Sequence, residues 1–298
     1  MRAIQFNQYG GPEVLEWAEA PEPHATANTV RISVRAASLN AIDWKIRRGL
    51  MRGQGPDTFP AFLGFDAAGV VNEVGQGVTG FEVGDEVFGL GHPTHAEYAV
   101  LKSFVNKPAE VSWSEAAAAG VAGETSVRAL NLLGVTRGTT VVIDGAAGGV
   151  GAVAVQVAVA RGATVIATAS ERNHEYLASL GATPVQYGDG VTDRIRQVAP
   201  GGVDAVLDVV GKTPMEELVS LVADPQQVVS IANFSAPEHG ARVTGGGGDA
   251  TAALREIADL LADGRLKIEV ASYPMQEATE AHRLLEQGHV RGKLVLIP

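Results

Sequence analysis

The feature that most constrains this chain is a glycine-rich turn lying between a strand and a helix. Thr139-Thr140-Val141-Val142-Ile143 is a β-branched run of the kind that forms a strand buried on both faces. Ala146-Ala147-Gly148-Gly149-Val150-Gly151 follows it, and a small, apolar helix is read from Val150 to Ala160. A turn of this kind lets backbone approach a pyrophosphate closely and lets helix pack tightly on strand. The helix start adds free N–H groups and a partial positive charge. In this context Ala146, Gly148, Gly149, Val150 and Gly151 read as a dinucleotide-binding turn. Ala146 takes the first glycine's place, and Gly148 and Gly151 the second and third. A strand-to-helix turn of another α/β protein, such as a methyltransferase, would look similar.

The pattern continues in the same style. Gly162 is placed to stop the helix, Thr164 to Thr168 reads as the next strand, and a helix follows over Asn173 to Leu180. Further strands are read at Ala205 to Val210 and Gln227 to Ile231, and an amphipathic helix at Ala250 to Ala262. Such alternation predicts a parallel sheet covered by helices. The strand after the glycine turn should end near the adenosine ribose. Ala169 stands there, where an NAD-preferring protein usually carries Asp or Glu. Ser170, Arg172 and His174 can donate hydrogen bonds to a 2′-phosphate, whereas Glu171 could accept from ribose hydroxyls. The balance favours NADPH over NADH, although Arg172 and His174 also suit a solvated helix start. Ligands bind at the carboxyl edge of such sheets, so backbone around Val210-Gly211 and Ala232-Asn233 should meet the cofactor.

Before residue 112 the chain has another character. Runs at Thr29 to Arg35, Ala67 to Val74 and Glu86 to Phe88 alternate with turns at Gly75, Gly77, Gly80 and Gly84, predicting a small barrel or folded sheet. One helical signal interrupts them, at Ala41 to Arg48. After Gly264 come a strand, a helix near Gln276 to Glu286, and the run Lys293 to Ile297; periodicity leaves open which domain this tail joins. The tetraglycine Gly245 to Gly248 needs either positive backbone angles or close approach of another group.

Composition narrows the function. The 298 residues suffice for two ordinary domains, and 46% hydrophobic content supports sizeable cores. A net charge of −11 opposes nucleic acid and anionic membranes. The absence of cysteine removes disulfides, thiol nucleophiles and every cysteine-containing zinc site. The start lacks a signal peptide's apolar core, and no apolar stretch is long enough to span a membrane, so a cytoplasmic protein is expected.

With these residues in view, nearly the whole chain resembles the quinone oxidoreductase branch of the medium-chain dehydrogenase/reductase superfamily. Gly64-Phe65-Asp66-Ala67-Ala68-Gly69-Val70-Val71, with Val74-Gly75, Val78, Phe81 and Gly84-Asp85-Glu86-Val87, is similar to the family's glycine-rich signature. Asn40 to Lys45 is similar to its active-site helix start, Ala146 to Gly151 to its cofactor turn, and Gly292-Lys293-Leu294-Val295 to its closing strand. The resemblance implies an α/β protein with a GroES-like β-rich substrate domain, formed by residues 1–112 and 257–298. A Rossmann dinucleotide-binding domain, residues 113–256, would be inserted between them. It further implies a cleft between the domains for nicotinamide and substrate, and a homodimer. Zinc-dependent relatives place a cysteine ligand where Asn40 stands and a His-Glu pair where Phe65-Asp66 stands, so no zinc is expected. His92 and His95 lack convincing further ligands and read as surface histidines.

Asn40 and Asp43 have the spacing of a helix cap and its partner three residues on, while the resemblance places Asn40 near the nicotinamide. Lys45 is either an exposed helix lysine or a group that orients a carbonyl oxygen, as the resemblance to enone-reducing relatives suggests. Thr125 either caps the following helix or, by the resemblance, lines the nicotinamide site. The expected activity is NADPH-dependent, zinc-independent hydride transfer to a small-molecule quinone or α,β-unsaturated carbonyl. A pathway-specific enone reductase, or a nicotinamide-binding regulator without turnover, would share the fold.

Overall fold

The computed structural model describes residues 1–51, 56, 58–288 and 290–298, which divide into two units. The first comprises Met1–Val121, Leu254–Ala262 and Lys267–Pro298. In it β1 (Arg2–Phe6) pairs antiparallel with β2 (Leu15–Glu19). The long strand β3 (Val30–Ser38) buries Val30, Ile32 and Val34 while Arg35 faces solvent, as a period of two requires. The helix α1 (Ala41–Arg47) follows, and then β4 (Ala61–Phe62), which pairs with β1. Next come β5 (Asp66–Val74), β6 (Glu86–Gly91) and β7 (Tyr98–Asn106), antiparallel neighbours in that order. Because β3 pairs with both β5 and β7, these four strands close into the small barrel that the short runs and glycine turns predict. Phe6, Ile32, Leu63, Leu101 and Leu296 fill its core.

The chain passes to the second unit, Ala122–Ala253 with Asp263–Leu266, inside helix α2 (Trp113–Leu132). Among the described residues this unit holds a six-stranded parallel sheet. Its strands are β8 (Thr140–Asp144), β9 (Thr164–Ala169), β10 (Thr183–Gln186), β11 (Ala205–Asp208), β12 (Val228–Ser230) and β13 (Arg242–Val243), ordered β10-β9-β8-β11-β12-β13. The helices α3 (Gly149–Ala160), α4 (His174–Ser179), α5 (Val191–Val198) and α6 (Met215–Val219) connect the strands. Val142, Ile166, Val206 and Val228 pack in one core layer. The order reverses between β8 and β11, where open sheets of this kind bind ligands. The strand β11 stops two residues earlier than its apolar run suggests. Asp208 Oδ1 accepts the N–H groups of Val210 and Gly211, which turns the backbone out of the sheet.

Helix α7 (Ala250–Ala262) falls where the sequence places it. Beyond it, β14 (Val270–Pro274) and β15 (Lys293–Ile297) flank α8 (Ala278–Gln287). β15 joins β3 through Val295 opposite Ser38 and Leu296 opposite Ala37, so the tail completes the first unit's sheet. Of the tetraglycine, Gly247 and Gly248 have φ of +100° and +81°, and nothing crowds any of the four. Positive backbone angles account for Gly247 and Gly248, while neither they nor close approach account for Gly245 and Gly246.

Candidate active site

The second unit carries the nucleotide features. Gly148 caps α3 at φ −78°, and a Cβ placed on it would meet no atom nearer than 3.6 Å. The space in front of this residue is therefore open. Gly151 is the opposite case: a Cβ there would lie 2.5 Å from Gly145 O and 2.7 Å from Ala146 Cα. Helix and strand touch through that missing side chain. The N–H groups of Gly149, Val150 and Gly151 have no acceptor within the helix, as in any first turn. Thr168 on β9 shapes the turn by taking the Gly145 N–H on Oγ1 and the Ala146 N–H on its carbonyl. It also donates to the buried Asp144, whose carboxyl burial pushes above its usual range.

Ser170 and Arg172 stand directly beyond the end of β9, Ser170 half-buried and Arg172 exposed. Ser170 Oγ accepts from Asn173 Nδ2 at 3.2 Å, a bond that leaves the hydroxyl proton unused. Arg172 makes no ion pair among the described residues. His174 is half-buried and its Nε2 is enclosed without a partner. Glu171 lies on the surface, and Ala169 offers no carboxylate. Val210 and Gly211 occupy the turn after β11, and Ala232 and Asn233 the turn after β12.

Thr125 lies inside α2 and not ahead of it, so it caps no helix. Its Oγ1 meets Arg128 at 3.4 Å. Arg128 was not singled out from sequence, yet it is buried, paired with Glu124 at 2.7 Å, and donates to Thr244 ahead of the tetraglycine. The i, i+4 spacing of Glu124 and Arg128 was the available signal.

In the first unit a buried polar network surrounds Asn40. Asp43 caps α1 as its spacing predicts, taking the Asn40 N–H on Oδ2 at 2.7 Å, and it accepts the Gly64 N–H at 2.8 Å. The Asn40 side chain turns elsewhere. Its Nδ2 donates to Asp66 Oδ1 at 2.8 Å, and its Oδ1 accepts from Lys293 Nζ at 2.5 Å. Lys293 also donates to Leu39 O, and Asp66 accepts the Val121 N–H at 2.7 Å. Burial pushes the Asp66 carboxyl up to about 6, against the opposing pull of Lys293. Burial likewise pushes the Lys293 ammonium down, while Asp66 and Asp43 hold it up. Sequence reasoning passed over Asp66 and Lys293 as charges. The signal was a charged residue at the head of each of two apolar runs, Ala67 to Val71 and Leu294 to Ile297. Gly120, in α2, permits the approach: a Cβ there would lie 2.5 Å from Asp66 Cβ.

Phe65 stacks on the exposed His92, ring centroids 4.7 Å apart. His95 corrects the surface reading: it is fully buried, with Nε2 on Ser38 O at 3.0 Å. Lys45 is half-buried, its ammonium 6.0 Å from the Trp44 ring centroid. Among the described residues no three His, Asp or Glu side chains form a group that could hold a metal ion.

The first unit holds a closed β-barrel, and the second a doubly wound parallel sheet with a glycine turn after β8. Residues 26–188 match the alcohol dehydrogenase GroES-like domain family, and residues 180–296 the family described as zinc-binding dehydrogenase. The chain is 33% identical to a chloroplast envelope quinone oxidoreductase homolog of Arabidopsis thaliana, over 100% of this chain and 98% of that protein. It is 31% identical to a 2-methylene-furan-3-one reductase of Solanum lycopersicum, over 100% of this chain and 79% of the relative. The crystal structure of Escherichia coli quinone oxidoreductase complexed with NADPH superposes with a TM-score of 0.87 at 28% identity, covering 100% of both chains. The chain belongs to the quinone oxidoreductase branch of the medium-chain dehydrogenase/reductase superfamily, and it is an enzyme of the oxidoreductase class.

Proposed function

We propose that this chain is an NADPH-dependent, zinc-independent oxidoreductase that reduces a quinone or an α,β-unsaturated carbonyl by hydride transfer. The observation that carries the cofactor reading is the glycine turn: Gly148 faces open space at the start of a 12-residue helix while Gly151 is packed against backbone. Bound NADPH supplies the hydride. In this reading Ala146 to Gly151 hold the pyrophosphate, and Ser170 and Arg172, with His174 beside them, hold the 2′-phosphate. The turns at Val210-Gly211 and Ala232-Asn233, with Thr125, border the nicotinamide half. Residues 113–256 act as the nucleotide domain, and 1–112 with 257–298 as the acceptor domain. Asn40 and Lys45 serve the acceptor. The donor set around Asn40 supports zinc independence, because the Lys293 ammonium already occupies Asn40 Oδ1 and offsets part of the carboxylate charge there. A homodimer acting in the cytoplasm fits the same reading; no helix of the described residues is long and apolar enough to cross a membrane.

The test is oxidation of NADPH and of NADH with a panel of quinones and enones, before and after EDTA. Turnover that prefers NADPH, survives EDTA and accompanies no stoichiometric zinc is expected. A zinc-requiring enzyme, or one that prefers NADH, would overturn the corresponding part. Enone reduction has separate support in the tomato relative's name and in Lys45, which makes no ion pair among the described residues. An ammonium beside a developing enolate oxygen lowers the barrier, and losing such a donor costs roughly 100-fold. Lys45→Met should therefore slow enone reduction while sparing quinone reduction. Equal small effects on both would make Lys45 an ordinary helix lysine.

A further inference from the structure

Asp208 ends β11 fully buried, yet nothing in the reading above uses its charge. Its carboxylate is surrounded by donors. Oδ1 accepts the N–H groups of Val210 at 3.0 Å and Gly211 at 2.7 Å. Oδ2 accepts from Ser230 Oγ at 2.7 Å, at the end of the neighbouring strand β12. Ser230 Oγ in turn accepts the N–H groups of Ala232 at 3.1 Å and Asn233 at 2.8 Å. The backbone repeats the link, with the Ile231 N–H on Asp208 O and the Thr244 N–H on Ser230 O, both at 3.0 Å. The two turns also touch: a Cβ on Gly211, at φ +66°, would lie 3.2 Å from the Ala232 carbonyl carbon.

We propose that Asp208 and Ser230 are positioning residues that lock the turns 209–211 and 231–233 into one rigid ledge for the cofactor. This rests on the reading of those turns as cofactor-bordering. The geometry calls for a side chain that accepts on both oxygens. The Asp144 carboxyl stands opposite Asp208 on β8, but each hydrogen-bond partner of the Asp208 carboxylate is a donor, and Ser230 Oγ has already spent its acceptor capacity on two N–H groups. An asparagine at 208 must point its NH2 either at Ser230 Oγ or at the N–H groups of Val210 and Gly211. Either orientation sets donor against donor and releases one turn. Because the Asp208 carboxylate reaches the second turn only through Ser230, the two side chains act in series.

The test is fluorescence titration of NADPH into the wild type, Asp208→Asn, Ser230→Ala, Ser230→Thr and the double variant D208N/S230A. Melting temperatures are measured in parallel. A charge-assisted hydrogen bond lost from a turn that orders a ligand predicts Kd raised about 30-fold in Asp208→Asn and about 5-fold in Ser230→Ala. The double variant should bind about as Asp208→Asn does, and Ser230→Thr, which keeps the hydroxyl, should bind as the wild type. With saturating NADPH, kcat should change much less than KM. Wild-type Kd in Asp208→Asn or Ser230→Ala, whatever the melting temperature, would overturn the inference, as would losses that multiply in the double variant. If Asp208→Asn does not fold, Ser230→Ala alone decides by the same measure. A wild type that binds neither NADPH nor NADH removes the cofactor reading itself, and the ledge with it.

Discussion

Asn40 shows how far one residue's meaning depends on partners distant in sequence. Its spacing to Asp43 marks a helix cap, and that arm of the cap forms. The carboxamide itself is committed to Asp66 and Lys293, 26 and 253 residues away. No local pattern contains that information. The same network supports a prediction about Lys293. It is the cation that holds down the charging cost of a fully buried Asp66, and it satisfies two acceptors besides. Removing one partner of a buried charge pair costs about 3–5 kcal/mol, whereas removing both costs much less. Lys293→Met should therefore destabilise strongly in urea unfolding, and adding Asp66→Asn should recover part of the loss. Strictly additive losses in that double-mutant cycle would mean that the two charges do not act on each other.

At the scale of elements, the glycine turn separates two roles that sequence presents as one motif. Gly148 and Gly151 look alike in a fingerprint, but their surroundings differ. A methyl at 151 collides with backbone of Gly145 and Ala146, which cannot move without parting α3 from β8. Gly151→Ala should cost about 1–3 kcal/mol of stability, the usual penalty of overpacking. A methyl at 148 meets nothing closer than 3.6 Å, and φ is −78°, a value any residue adopts. Gly148→Ala should keep the wild-type melting temperature while weakening NADPH binding about 10-fold, because the methyl enters the space read as the phosphate site. Unchanged affinity in a stable Gly148→Ala protein would count against a phosphate in front of this turn. The strands and helices on either side were legible for a simple reason: β8 carries the β-branched run Thr140 to Ile143, and α7 keeps a clean apolar stripe. Helix α2 was not, since Ala116 to Ala119 are buried together and leave no amphipathic period to read. Periodicity hid the place of β15 as well, because only pairing with β3 decides it; there the resemblance alone pointed the right way.

For the molecule as a whole, buried titratable groups in the first unit should shape how stability varies with pH, and two of them pull in opposite directions. Asp66 holds its proton up to about pH 6 in the folded chain, against 3.8 for the free side chain. The folded state thus binds more protons across that interval. The stability this group contributes is fully present below about pH 3.8 and is lost as pH rises through about 6. His282 behaves inversely. It is fully buried with both ring nitrogens unpartnered among the described residues, beside His95 at 6.2 Å between ring centroids. Burial first, then His95 and Arg47, hold its pKa well below 6.5. The unfolded chain therefore takes up a proton that the folded one refuses, and stability present above pH 6.5 is lost as pH falls. Between about pH 4 and 6 the two slopes oppose each other, each limited to about 1.4 kcal/mol per pH unit for one proton. Substituting either group should expose the other. Relative to the wild type, Asp66→Asn should make stability rise more steeply with pH over this range. His282→Leu should make it rise less steeply or fall, and should relieve the cost of two orphaned nitrogens at neutral pH. Urea unfolding at half-unit steps from pH 4 to 7 measures both differences. Difference slopes of the same sign in the two variants, or none in either, would show that these buried groups do not titrate with folding as the geometry requires.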